Sequence, residues 1–127
     1  MTIAYWCVLI AGLMPLFTIV IAKRGRPDFD NAEPRAWLEK QSGIRRRADY
    51  AHRNHFEAFP FFAAGVIIAQ QVHAAQNILN LLAVIFIVAR IVYTFLYLKD
   101  LPSQRSAVWG IAFASAIGLF VLAGLTR

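Results

Sequence analysis

The chain has 127 residues, 59% of them hydrophobic and 16% charged, with a formal net charge of +6 and one cysteine. A composition this apolar excludes an ordinary water-soluble domain, and the basic excess lies between apolar runs, where it reports membrane topology and not nucleic-acid binding. Cys7 alone forms no intrachain disulfide and no zinc-ligand pattern, and the absence of P-loop, GxGxxG, GxSxG and HExxH signatures leaves phosphate cradling and triad hydrolysis without support.

Ile3 to Ala22 is an uninterrupted apolar run, close to the roughly 20 residues a helix needs to cross about 30 Å of hydrocarbon. It predicts a first span at 2–22. Lys23, Arg24 and Arg26 follow the run and nothing basic precedes it, the reverse of a cleaved signal peptide, so an uncleaved span is expected. A loop over 23–45 leads to a second span at 46–73, apolar only beyond Glu57, and further spans are expected at 77–98 and 106–125. The predicted fold is an all-α integral membrane protein, a four-transmembrane-helix bundle forming one domain over 1–127. Eight basic residues (Lys23, Arg24, Arg26, Arg35, Lys40, Arg45, Arg46, Arg47) fall in or beside the first loop, Lys99 and Arg105 in or beside the third, and Arg127 alone on the other side. By the positive-inside rule the first and third loops face the cytoplasm.

Charge enters the second span in the run Arg47-Ala-Asp-Tyr-Ala-His-Arg-Asn-His-Phe-Glu-Ala-Phe-Pro60, and ionisable groups at membrane depth are costly and usually functional. On a helix Arg47, Tyr50, Asn54 and Glu57 share one face, and Arg90, Tyr93 and Tyr97 do the same in the third span. Glu57 lies ten positions beyond Arg47 and Arg90 nine before Lys99, so both sit roughly 14 Å deep. A buried Glu57–Arg90 ion pair is therefore expected, because two unpaired charges there cost on the order of 5–7 kcal/mol. With Asn54, Tyr93 and Tyr97 supplying further donors, the pattern reads as a pocket for a polar, anionic ligand, while Arg53 on the adjoining face is placed to reach phosphate headgroups. His52, His55 and His73 form no ligand cluster, so no metal site is expected. Gly110, Ala114 and Gly118 permit close helix approach, and Pro15 and Pro60 are expected to kink their spans.

These residues resemble the membrane-associated proteins in eicosanoid and glutathione metabolism, the MAPEG family. The likeness rests on Ala51-His-Arg-Asn-His-Phe-Glu-Ala-Phe-Pro60, on Arg90-x-x-Tyr93-x-x-x-Tyr97, on Arg105-Ser106 and, as in bacterial members, on Phe29-Asp-Asn-Ala-Glu-Pro-Arg35. The resemblance implies a homotrimer in a bacterial inner membrane, with glutathione as co-substrate between subunits and a lipophilic small-molecule substrate arriving from the lipid. It carries glutathione binding onto Asn54, Glu57, Tyr93 and Tyr97, with Arg90 shared between structure and binding, and the catalytic role of activating the sulfur onto Arg105; Arg47, Tyr50 and Arg53 at the mouth are further candidate binding residues. Two positions depart from the family pattern: Tyr50 stands where eicosanoid-forming members have arginine, and Ala58 where tyrosine is frequent. Arg47, one turn nearer the cytoplasm, is a candidate replacement for the first. The activity implied is a glutathione transferase or peroxidase, and the alternative is a non-catalytic trimer or glutathione-binding sensor of the same fold.

Overall fold

The computed structural model describes residues 1–126. They form five helices and no strand: α1 (Ile3–Lys23), α2 (Pro34–Glu39), α3 (Gly43–Gln71), α4 (Gln76–Leu98) and α5 (Pro102–Leu125). Three of them, α1, α4 and α5, are long and apolar enough to cross a membrane. The fourth long helix, α3, has 29 residues but carries its charge in the first half, from Arg45 to Glu57. Around the bundle the order is α1, α3, α5, α4, with α3 and α4 also touching across it. Both prolines inside helices, Pro15 and Pro60, lie in unbroken helical segments. Three features differ from expectation: the first loop contains α2, α3 begins at Gly43, three residues before 46, and α5 begins four residues before 106, so that Arg105 lies inside a helical turn.

Small side chains let these helices meet. Ala4, Cys7 and Ala11 of α1, Ala69 of α3, Ala83 of α4, and Ala112, Ala116 and Ala123 of α5 are all in the core, around Phe62 and Phe86, whose rings stack 3.8 Å apart. Many of the other large apolar residues point outward, with Phe17 73% and Phe95 60% exposed. A bundle whose outside is as apolar as its inside is suited to lipid, where helix association depends on close van der Waals packing and not on burying hydrocarbon from water. Of the three small residues on α5, Gly118 meets Leu82 of α4, whereas Gly110 faces open space and Ala114 is exposed.

Helix ends are tied by side chains. Three consecutive arginines open α3 and each serves the carbonyl end of a different element: Arg45 donates to Ala22 O of α1 (3.1 Å), Arg47 to Leu98 O of α4 (3.2 and 3.3 Å), and Arg46 to Glu39 O and Gln41 O beside α2. The carbonyls that a helix leaves unpaired at its C-terminus thus receive charged donors. At the opposite end a chain of amides runs from Thr2 through Gln70 and Gln76 to Asn80, which accepts from Ala4 N.

Tight reversals follow α3 and α4. Ala74 N bonds Ala69 O and His73 N bonds Gln70 O, and the same pair of bonds recurs as Leu101 N to Leu96 O and Asp100 N to Tyr97 O. These are Schellman closures, with His73 (φ 57°) and Asp100 (φ 58°) in the left-handed position that glycine fills without strain. His73→Gly and Asp100→Gly are each expected to raise stability by about 0.5–1 kcal/mol in thermal unfolding of the detergent-purified protein. Gly65→Ala should act oppositely: its new Cβ would stand 3.1 Å from Leu119 Cβ and from the Phe120 ring, and a loss of about 1–3 kcal/mol is expected by the same assay.

Candidate functional site

Arg90 is the largest fully buried side chain of the described residues, 1% exposed in the apolar middle of α4. Its Nη1 donates to Asn54 Oδ1 and its Nη2 to His55 Nδ1, both at 2.9 Å, and its guanidinium carbon lies 4.3 Å from the centre of the Tyr93 ring. Arginine only donates, so His55 Nδ1 must carry a lone pair and Nε2 the hydrogen. That hydrogen faces Thr94 Oγ1 at 2.9 Å, and Thr94 in turn donates to Arg90 O, at 2.9 Å. The circuit closes on the residue where it began.

The expected Glu57–Arg90 ion pair is not formed. The amide of Asn54 stands between the two: its Oδ1 takes Arg90 and its Nδ2 donates to Glu57 Oε2 at 3.1 Å. Arg90 meets α3 at the level of 54 and 55, where two neutral acceptors lie, and Glu57 is almost a full turn further along, exposed on the surface of the isolated chain. The one ion pair among the described residues is Arg53–Asp49, at 3.0 Å.

Two adjoining cavities share Asn54 and Trp109. One, of about 270 Å³, is polar and lined by Asn54, Tyr93, Tyr97, Arg105, Ser106 and Trp109. The other, of about 150 Å³, has Asn54, Glu57 and Arg90 at one side and Ala58, Phe61, Phe86 and Phe113 on its apolar walls. Arg105 enters the first because the Schellman turn at Asp100 folds α5 back along α4, setting its guanidinium 4.3 Å from the centre of the Tyr97 ring. Neither Arg105 nor the hydroxyls of Tyr93 and Tyr97 take part in any of the side-chain hydrogen bonds found among the described residues. The polar cavity is thus rich in uncommitted donors, and the carboxylate of Glu57 beside it has an oxygen to spare.

Asn54, Glu57, Arg90, Tyr93, Tyr97 and Arg105 all line these two cavities; spacing puts the first two and the next three on shared helix faces, and the family resemblance names Arg105. Three other candidates lie elsewhere. Arg47 is spent on Leu98 O, Tyr50 is held by Arg46 Nη1 at 2.7 Å, and Arg53 lines a separate groove with Arg35, Asp49 and His52. His55, Thr94 and Trp109 are site residues that stripe counting passed over. The available signal was a threonine inside the apolar α4 and a histidine in the charged half of α3, each on the face that the partner helix covers. No group of three or more His, Cys, Asp or Glu side chains able to hold a metal ion occurs among the described residues.

His55→Leu would strand an Arg90 donor in the bundle and is expected to cost about 1–3 kcal/mol in thermal unfolding, whereas His55→Asn, whose Oδ1 can occupy the place of Nδ1, should recover most of the loss. Equal destabilisation by the two would contradict the assigned bond.

Comparison with family models gives a match to one described as the MAPEG family over residues 3–125. No curated protein matches the chain.

Proposed function

Since the chain belongs to the MAPEG family, we propose that it is a glutathione-dependent membrane transferase or peroxidase, working as a homotrimer of four-span protomers in a bacterial inner membrane. The observation that carries this reading is Arg105, free of hydrogen-bonded partners and seated over Tyr97 in a polar cavity that adjoins an apolar one. The donor set suits glutathione. Its carboxylates can take hydroxyls from Ser106, Tyr93 and Tyr97, its ammonium can meet the carboxylate of Glu57, and Arg105 is left for the sulfur. The cavities lie open at the protomer surface, with Glu57, Phe61, Trp109 and Phe113 exposed, as a site finished by a neighbouring copy would be. In this assembly α3 is the remaining span, its charged face turned to protein, and the end bearing Arg45–Arg47, Lys23 and Lys99 faces the cytoplasm.

A thiol with a pKa near 8.5 is mostly protonated at neutral pH, and a guanidinium beside it in a low-dielectric site favours the thiolate, each unit of lowering being worth about 1.4 kcal/mol. Arg105 supplies that charge. The thiolate then forms a carbon–sulfur bond with an electrophile as the leaving group departs with its electron pair. Alternatively it attacks the terminal oxygen of a hydroperoxide, breaking the O–O bond to leave glutathione sulfenic acid and an alkoxide that takes up a proton, and a second glutathione thiol then displaces water from that sulfur to give the disulfide. The apolar cavity walls hold the lipophilic partner next to the sulfur.

A second reading, a trimer that binds glutathione without chemistry, draws support from Tyr50 and Ala58: the tyrosine is tied to Arg46, the alanine adds no hydroxyl to the cavity, and Arg47 is committed to α4. Glutathione titration of the detergent-purified protein, followed by thermal stabilisation and by thiolate ultraviolet absorbance, separates the two. An enzyme shows a saturable shift and a thiolate band, and in Arg105→Ala that band disappears while turnover of a model electrophile falls on the order of 10²-fold. Binding without the band supports the sensor, and no binding at millimolar glutathione overturns both.

A further inference from the structure

We propose that Arg90 is a catalytic residue, the cation that receives the negative charge as it moves from the glutathione sulfur onto the second substrate. The inference rests on the glutathione reading above and gives Arg90 the half of the reaction that Arg105 leaves open. A carboxylate partner would cancel the charge of a buried cation, and Arg90 has none. Its partners are Oδ1 of Asn54, the lone pair of His55 Nδ1 and the ring face of Tyr93, all neutral, and its Nε has no hydrogen-bond partner. The one ion pair among the described residues, Arg53–Asp49, does not involve it. Hydrogen bonds to neutral groups offset the burial but leave the charge itself, and in apolar surroundings a charge acts over a longer reach than in water.

That charge borders the cavity of about 150 Å³ assigned to the lipophilic partner, where Arg90 and Glu57 are the two charged residues of the lining. With glutathione bound, its ammonium meets Glu57 and its thiolate meets Arg105. Arg90 is then the one cation at the cavity without an anion. As the sulfur electron pair forms the carbon–sulfur bond, the bond to the leaving atom breaks and the negative charge departs on that atom. With a hydroperoxide the sulfur–oxygen bond forms, the O–O bond breaks, and the charge departs on the alkoxide oxygen, which takes up a proton from water. In either case the charge leaves the neighbourhood of Arg105 and enters the cavity that Arg90 borders, beside Phe61, Phe86 and Phe113. A cation fixed in advance and not already matched by an anion stabilises that charge without reorganisation. Were residue 55 acidic, Arg90 would still be held and its field would be cancelled.

His55 lines neither cavity and meets Arg90 directly, so the charge can be cancelled there without touching either substrate. His55→Asn and His55→Asp have the same shape, each offers Oδ1 to Arg90 Nη2, and they differ by one negative charge. Both are compared, as detergent-purified protein, in thermal unfolding, in the glutathione thiolate band, and in turnover of benzyl chloride and cumene hydroperoxide. The aspartate variant is expected to be at least as stable as the asparagine variant and to keep the thiolate band, yet to have a kcat roughly 10- to 100-fold lower on both substrates. A merely structural Arg90 gives the opposite order, because an ion pair holds it at least as firmly. Equal or faster turnover by the aspartate variant, with the band present, overturns this proposal and leaves the glutathione reading standing. Absence of the band and of turnover in the native chain overturns both. Should the aspartate variant fail to fold, Arg90→Lys, which keeps the charge, is expected to exceed Arg90→Gln in kcat by roughly tenfold or more, and equal rates would overturn the proposal.

Discussion

The interaction on which the molecule turns is the burial of one guanidinium. A charge at the middle of a membrane-spanning helix costs about 2.5–3.5 kcal/mol even on insertion scales, and Arg90 stands among Phe86, Ile87 and Ala89 with 1% of its surface exposed. What makes that tolerable is that α3 lies directly across the bundle with Asn54 and His55 at the same level, while Tyr93, on Arg90's own helix, turns its ring face to the cation. The requirement runs in both directions. α3 carries too much charge in its first half to match the three apolar helices, and α4 would strand its arginine without α3. The pairing therefore fixes which helices sit opposite each other, and it does so with neutral acceptors, so that the carboxylate of Glu57 is left exposed and half uncommitted.

The three arginines at the start of α3 solve a related problem. Consecutive positive charges at the N-terminus of a helix oppose its dipole, yet here each side chain leaves its own helix for the carbonyl end of another. The unfavourable placement is offset by capping three C-terminal carbonyl ends at once, and the ends of α1, α2, α3 and α4 are gathered at one level. Without that level the Schellman turn at Asp100 would not bring α5 back with Arg105 over Tyr97.

Much of this was legible in the sequence because it depends on run length and period. The apolar runs place α1, α4 and α5 to within a few residues, and three-and-four spacing puts Asn54 with Glu57, and Arg90 with Tyr93 and Tyr97. What period cannot supply is the azimuth of one helix against another. Reading depth alone paired Glu57 with Arg90, because the two are equally deep. The structure pairs Arg90 with Asn54 and His55, because those residues face it. The same gap hid Arg47, which lies on the predicted stripe but is long enough to swing to Leu98 O, and it hid His55, whose importance follows from a partner on another helix. Helix α2 was missed for a different reason: six residues opened by a proline carry too little periodicity to stand out in a loop.

Polar groups in an apolar bundle divide by whether their hydrogen-bonding capacity is used. Arg45, Arg46, Arg47, Arg53, Asp49, His55, Thr94 and the outer amides from Thr2 to Asn80 all have named protein partners, and each can be explained by the stability or register of the helices. Arg105, the hydroxyls of Tyr93 and Tyr97, and one oxygen of Glu57 have capacity left over, and they all border the same pair of cavities. Among the described residues the buried side-chain atoms without a partner are Trp37 Nε1 and Arg90 Nε, whereas the open groups of Arg105, Tyr93, Tyr97 and Glu57 border cavities where water or a ligand can meet them. Arg105 in that cluster can meet an anion and Glu57 a cation, and the aromatic walls beside them suit an apolar molecule. One site offering both is a place for two unlike molecules to meet.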